Sequence, residues 1–204
     1  PPPPLHKIYL LLRRPPRSTL LCYRRQRQMC IRDRAGNTHG FPVAKMHTFN
    51  VGDQRVSSTR IRSALQVGDL AGAEALLGRP FWMSGRVAHG DKRGRTIGFP
   101  TANIFLHRSA VPVDGVFAVE MRGLDDMPIP GVANVGTRPT VGGTRALLEV
   151  HLFDFDRDIY GRHVQVSFLK KLRPEYKFES FQHLKEQIQR DATQAREFFR
   201  GTTA

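Results

Sequence analysis

Beyond residue 30 the chain has no cysteine, because its only two, Cys22 and Cys30, lie near the start. The remainder can form neither an internal disulfide nor a thiolate metal site, which fits a reducing, cytoplasmic setting. No apolar run is long enough to span a bilayer, so no membrane partner is expected. Acids are scarce: 18 Asp and Glu stand against 32 Lys and Arg, for a net charge of +14. That excess suggests nucleic acid, but it is unevenly spread. Residues 1–34 hold nine of the cations and one acid, Asp33, leaving 23 bases and 17 acids elsewhere, a surplus of six. Aromatics that could stack bases are also thin: Trp82, Phe99 and Tyr176 are scattered rather than arrayed. A non-catalytic basic β-barrel that binds nucleic acid is therefore the weaker alternative. At 204 residues, with 40% hydrophobic content, the chain suffices for one ordinary domain and its core.

Residues 1–34 begin Pro1-Pro2-Pro3-Pro4 and carry arginine pairs around the short apolar patch Ile8–Leu12. The patch is too short for a signal peptide, and the prolines oppose the amphipathic helix of a transit peptide. The two cysteines, eight positions apart, lack a partnering histidine cluster for zinc. Met29-Cys30-Ile31-Arg32-Asp33-Arg34 resembles translated sequencing-adapter readthrough. The segment is expected to be non-native or disordered, with the true N-terminal region missing.

The stretch with the most chemistry runs from Gly90 to Asn103. Gly90, Gly94 and Gly98 are interleaved with Lys92, Arg93 and Arg95, followed by Pro100-Thr101-Ala102-Asn103, read as a rigid turn. Glycines let backbone N–H groups approach an anion, and cations balance its charge. Thr101 and Asn103 offer hard oxygen ligands suited to Mg²⁺. A nucleotide-phosphate and metal site or a mobile basic hairpin loop both fit. The stretch is not a P-loop, since Gly-Lys-Ser/Thr is absent, nor a dinucleotide fingerprint, since no βαβ pattern surrounds it.

Residues 35–56 read as loop with one short strand. Ser57 or Ser58 is placed to cap a helix running to about Val67, and Asp69 to cap a second one ended by Gly78. Arg60 and Arg62 near the first helix start suit either phosphate or solvent. Pro80 marks a change of pattern. Strands are expected at Phe81–Ala88, Gly115–Arg122, Ile129–Val135, Arg145–Phe153 and His163–Leu169, giving an antiparallel sheet or small barrel. Ser180 to about Arg200 is an amphipathic helix, with Phe181, Leu184, Ile188, Ala195 and Phe198 on one side and Ala192 between, covering an open face or end. Asp154, Asp156 and Asp158 alternate as in a calcium loop, but Ile159 and Gln165 stand where that loop needs Gly and Glu, so they read as a solvated turn. His89, His107, His151 and His163 lack metal-ligand spacing. In Leu147–Leu152, period-two alternation sets Glu149 opposite Leu148, Val150 and Leu152. Glu149 is then either an exposed exterior residue or a general base at a barrel mouth.

From Gly78 onward the residues resemble the riboflavin kinase domain of bacterial bifunctional riboflavin kinase/FAD synthetases. The similar blocks, in order, are Leu77-Gly78-Arg79-Pro80, Gly85-Arg86-Val87, Gly98-Phe99-Pro100-Thr101-Ala102-Asn103, Gly115–Val119, Ala133-Asn134-Val135-Gly136-Thr137-Arg138-Pro139-Thr140, Leu148–Leu152 with Asp154-Phe155, Tyr160-Gly161, and Leu172-Arg173-Pro174-Glu175 with Phe178. The resemblance implies a mainly β fold: a six-stranded antiparallel Greek-key barrel with a C-terminal helix over residues 79–204. It implies transfer of the ATP γ-phosphate to the riboflavin 5′-hydroxyl, giving FMN, with ATP and riboflavin as substrates and Mg²⁺ or another divalent cation. It assigns Thr101 and Asn103 to metal and phosphates. It gives Gly90, Lys92, Gly94, Arg95, Gly98 and Pro100 to the ATP loop, Glu149 to general-base work, and Arg173 and Glu175 to the flavin side. Ser57-Ser58-Thr59-Arg60-Ile61-Arg62 resembles a late motif of that family's nucleotidyltransferase domain, whose early His-containing motif is not found. Residues 35–78 are accordingly expected to be a remnant of that domain plus linker helices, with FAD synthetase activity lost; the complete bifunctional enzyme is the other reading. The oligomeric state stays open.

Overall fold

The computed structural model describes residues 31, 33–43, 48–90, 98–106, 111–140, 143–176 and 178–202, the side chains of 54, 138–140, 143–145 and 202 excepted. Residues 1–30, and with them the cysteines, lie outside this set, as do Lys92, Gly94, Arg95 and His107. The chain divides into two compact units, Pro1–His47 and Thr48–Ala204. In the first, a helix covers residues 33–39. The second opens with a hairpin of β1 (Asn50–Val51) and β2 (Gln54–Arg55). The expectation of loop and a single strand over 35–56 is thus corrected. A helix too short to show an apolar period and two-residue strands leave no readable pattern.

Helices α1 (Ser58–Val67) and α2 (Leu70–Leu77) start where their caps dictate. The Ser57 hydroxyl accepts the Arg60 N–H at 3.3 Å, and Asp69 Oδ1 accepts the Gly72 N–H at 2.8 Å. Gly68 (φ 84°) and Gly78 (φ 71°) end them in the left-handed conformation that glycine adopts without strain. Leu65, Leu70 and Ala73 are buried in the same cluster as the strands that follow, so both helices belong to this compact unit.

Six strands then close a barrel: β3 (Trp82–Ala88), β4 (Ala102–Phe105), β5 (Gly115–Arg122), β6 (Ile129–Thr140), β7 (Gly143–Leu152) and β8 (His163–Arg173), in the spatial order β3-β4-β7-β6-β5-β8. Every pair is antiparallel, and β8 returns beside β5 after the β5-β6-β7 run, which is a Greek key. Among the described residues, closure leaves the barrel no unpaired edge strand. Beyond the strands expected from sequence, β4 rises from the very residues read as a rigid turn. Asn103 sits mid-strand, because Pro100 only precedes the ladder and donates nothing to it.

Alternation divides the strands. Val87, Ile104, Phe117, Val119, Val135, Leu148, Val150, Val166 and Phe168 fill the interior. The alternate residues Val116, Ala118 and Val132 form a second cluster outside, with Phe153. Helix α3 (Phe181–Thr202) packs on that second cluster through Ala192, Ala195, Phe198 and Phe199. The helix therefore covers an outer face of the barrel. Ser180 caps it, accepting the His183 N–H at 3.2 Å. Phe181 leaves the expected buried stripe and is 60% exposed, as it occupies the first helical position, beyond the cluster's reach.

Candidate active site

Strand β7 shows how the site is built. Leu148, Val150 and Leu152 point into the core, so Leu147, Glu149 and His151 face outward. Glu149 pairs in register with Asn103 on β4 and Asn134 on β6. Directly opposed residues share a face at roughly 5 Å, so Asn103, Glu149 and Asn134 form one polar row on the outer wall. All three are half-buried. Glu149 thus lies on the outer wall, neither fully exposed nor isolated.

Two glycines allow neighbours to reach this row. A β-carbon at Gly90 would come within 2.1 Å of Asn103 Nδ2, so the amide lies directly against the Gly90 backbone. A β-carbon at Gly136, two residues beyond Asn134, would come within 2.5 Å of a Glu175 carboxylate oxygen. Glu175 is exposed, and its side chain lies over β6 at that gap. Asn134 and Gly136 were not singled out from sequence as site residues. Their signal was only their place in a block similar to the family, and register alone puts Asn134 opposite Glu149 and Gly136 opposite Leu147.

Arg173, expected on the flavin side, is engaged within the protein. Its Nε donates to Asp191 Oδ1 at 2.9 Å, Nη2 donates to Oδ2 at 2.7 Å, and Nη1 donates to the Pro174 carbonyl at 2.9 Å. Gln187 donates to the same carboxylate at 2.8 Å. Arg173 is 13% exposed and Asp191 5%, while the rings of Tyr176 and Phe178 lie 5.2 and 5.6 Å from the guanidinium carbon. The observed contacts of Arg173 thus tie the 174–178 segment to α3.

Thr101 and Pro100 stand at the lip of a cavity of about 410 Å³ at one end of the barrel. Its floor is Val87, Ala102, Val150 and Leu152, and its far wall is the 155–160 segment with His89 stacked on Tyr160 at 3.8 Å. That segment is anchored: Arg86 Nη1 donates to the Gly161 carbonyl at 2.9 Å, and Gly161 N–H donates to Val87 O at 2.8 Å. Asp154 accepts both Arg196 Nη groups at 2.8 and 3.0 Å, and Asp158 accepts the Tyr160 N–H at 3.0 Å. The Arg196 bond holds the exposed Asp154 carboxyl below its ordinary range. His151 faces the other side of the same lip: Nδ1 lies 2.8 Å from the Pro100 carbonyl, with Phe99 edge-on at 5.2 Å. Burial, opposed by the Pro100 hydrogen bond, pulls the His151 pKa below the ordinary imidazole value. Among the described residues no three His, Cys, Asp or Glu side chains gather as a metal site. Thr101 and Asn103 carry hard oxygen donors of the kind a magnesium-like cation takes, as do Asp156 and Asp158 on the far wall of the cavity.

A small closed barrel with a cavity at one end and a polar row outside is a small-molecule site in form: concave, with an apolar floor and a polar, charged far wall. The riboflavin kinase family model (Flavokinase) matches residues 77–199. The bifunctional riboflavin kinase/FMN adenylyltransferase of Escherichia coli K12 is 55% identical over 175 residues, covering 86% of this chain and 56% of that one. The Bacillus subtilis protein of the same description is 44% identical over 151 residues, 72% of this chain and 48% of its own. A crystal structure described as a macrolide-efflux protein from Streptococcus pneumoniae superposes with a TM-score of 0.63 at 38% identity, over 78% of this chain and 52% of that one. The chain belongs to the riboflavin kinase family. It spans about half the length of the curated relatives it matches.

Proposed function

We propose that this chain is an ATP-dependent riboflavin kinase that converts riboflavin to FMN. The observation that carries the reading is the row Asn103–Glu149–Asn134, set in register beside the lip where Thr101 stands. In this reading the cavity at the barrel end takes the nucleoside of ATP, since its volume and apolar floor suit a flat base. Thr101 and Asn103 hold the divalent cation, which neutralises phosphate charge when bound. The Gly90 backbone, free of a side chain, lies close to the phosphates. Riboflavin lies along the outer wall toward Glu175 and the 174–178 segment, with Arg173 as the strut of that segment.

Phosphoryl transfer asks the protein for alignment and charge compensation more than covalent chemistry. The flavin 5′-oxygen forms a bond to the γ-phosphorus as the bond from phosphorus to the ADP oxygen breaks. The hydroxyl proton passes to the Glu149 carboxylate, and ADP leaves. Asn134, beside Glu149, is placed to orient the alcohol or the carboxylate by its amide. Among the described residues no helix is long and apolar enough to cross a membrane.

Incubating the chain with riboflavin, ATP and Mg²⁺ and separating the flavins by chromatography tests the proposal. FMN appearing only with all three is the expected result, and none from folded protein would refute it. The same chromatogram reads FAD. We expect none, because the early His-containing motif of the adenylylating domain is not found in the sequence.

A further inference from the structure

His151 is not given a role by the chemistry above, yet it touches the machinery at one point. Pro100 has no N–H, so its carbonyl is the one backbone handle on that residue. A carbonyl only accepts, so Nδ1 must carry the proton, and His151 donates across 2.8 Å. The peptide bond that follows is planar and trans, for no cis bonds occur among the described residues. Holding the Pro100 oxygen therefore fixes the opposite direction of the Thr101 N–H and the Cα from which the Thr101 hydroxyl projects. The ring has little freedom to let go. Phe99 meets it edge-on at 5.2 Å and Phe153 at 5.9 Å, and Phe153 is in turn covered by Arg196, 4.4 Å above its ring. Phe99, Phe153 and α3 belong to the outer apolar cluster, so this cage is continuous with the helix packing.

We propose that His151 is a positioning residue for nucleotide binding: it locks the Pro100–Thr101 peptide so that Thr101 is presented to the phosphates at the cavity lip. This rests on the proposed kinase reading of Thr101. His151 touches no reacting atom and works from behind the loop.

The test compares the full chain with His151→Asn and His151→Gln. The Asn amide nitrogen reproduces the place of Nδ1, whereas the longer Gln overshoots it. Calorimetric titration with ATP and Mg²⁺ gives Kd directly, and steady-state FMN formation gives KM for each substrate. The Gln variant is expected to bind ATP about five- to tenfold more weakly, the worth of one hydrogen bond. The Asn variant should stay within about twofold of wild type, and KM for riboflavin should hardly move in either. Equal ATP affinity in all three proteins overturns the proposal, as does an equal loss of ATP and riboflavin affinity in both variants, which marks a structural residue. If the Gln variant does not fold, His151→Phe replaces it, since a third ring suits the Phe99–Phe153 cage while lacking a donor. Failure of the kinase reading looks different: wild type itself then makes no FMN. The ATP titration still decides the positioning role if wild type binds ATP without turning over.

Discussion

The two faces of β7 obey one backbone and opposite selection. Inward, Ala146, Leu148, Val150 and Leu152 are buried in the barrel core. Outward, at the intervening positions, Glu149 stands between Asn103 and Asn134, and His151 lies against the 98–101 loop and Phe153. A strand alternates sides by geometry, so one stretch of sequence supplies both the core and the candidate chemistry. The lesson is separability: changes on one face should alter stability, and changes on the other should alter turnover.

The sharpest break of this comparison is Glu149→Gln. It should lower kcat for FMN formation about 10²–10⁴-fold, with little change in ATP affinity or melting temperature. Turnover at the wild-type rate would remove Glu149 from the role of base. Next is Asp191→Ala, which strands the Arg173 guanidinium without its carboxylate. Breaking so buried a pair should cost about 3–5 kcal/mol in urea unfolding, and a loss under about 1 kcal/mol would show that the pair is dispensable. On the inner face, Leu148→Ala should cost about 2–5 kcal/mol while the folded fraction keeps its turnover number; a kinetic defect would blur the division between faces. Ser57→Ala, distant from both faces, should remove about 1 kcal/mol through its lost cap and leave kinetics alone.

The smallest effect is one of pH. The His151 pKa lies below its unfolded value, so the unfolded chain takes up the proton first as pH falls. Its contribution to stability is complete above the unfolded value of about 6.5 and declines as pH drops below that toward the folded pKa. Melting temperatures of wild type should fall over that window more than those of His151→Asn. The window is separate from the more acid one below the ordinary carboxylate value of 3.8, where Asp154 gives up its bond with Arg196.

Several elements could be read from local chemistry alone. Ser57 and Asp69 announce helix starts, and glycines at 68 and 78 announce helix ends, because caps are satisfied within four residues. The two-residue period of β7 also declares itself, since burial on one side leaves an alternating imprint, whereas β5 is buried on both faces and shows an unbroken apolar run. β4 was hidden, because its four residues follow a proline and share a glycine-rich neighbourhood. Phe181 was misjudged because helical spacing says which side a residue is on, not whether a partner surface extends that far.

The candidate site divides in the same way. The sequence alone determined which residues carry hard oxygens and a carboxylate, Thr101, Asn103, Glu149 and Glu175, because donor chemistry belongs to the side chain itself. Only the tertiary structure decided that Asn103, Glu149 and Asn134 share a row, that Gly136 leaves room for Glu175, and that Arg173 is occupied by Asp191. Those relations join strands and a helix far apart in the chain. They are fixed by the register and closure of the barrel, which no local pattern encodes.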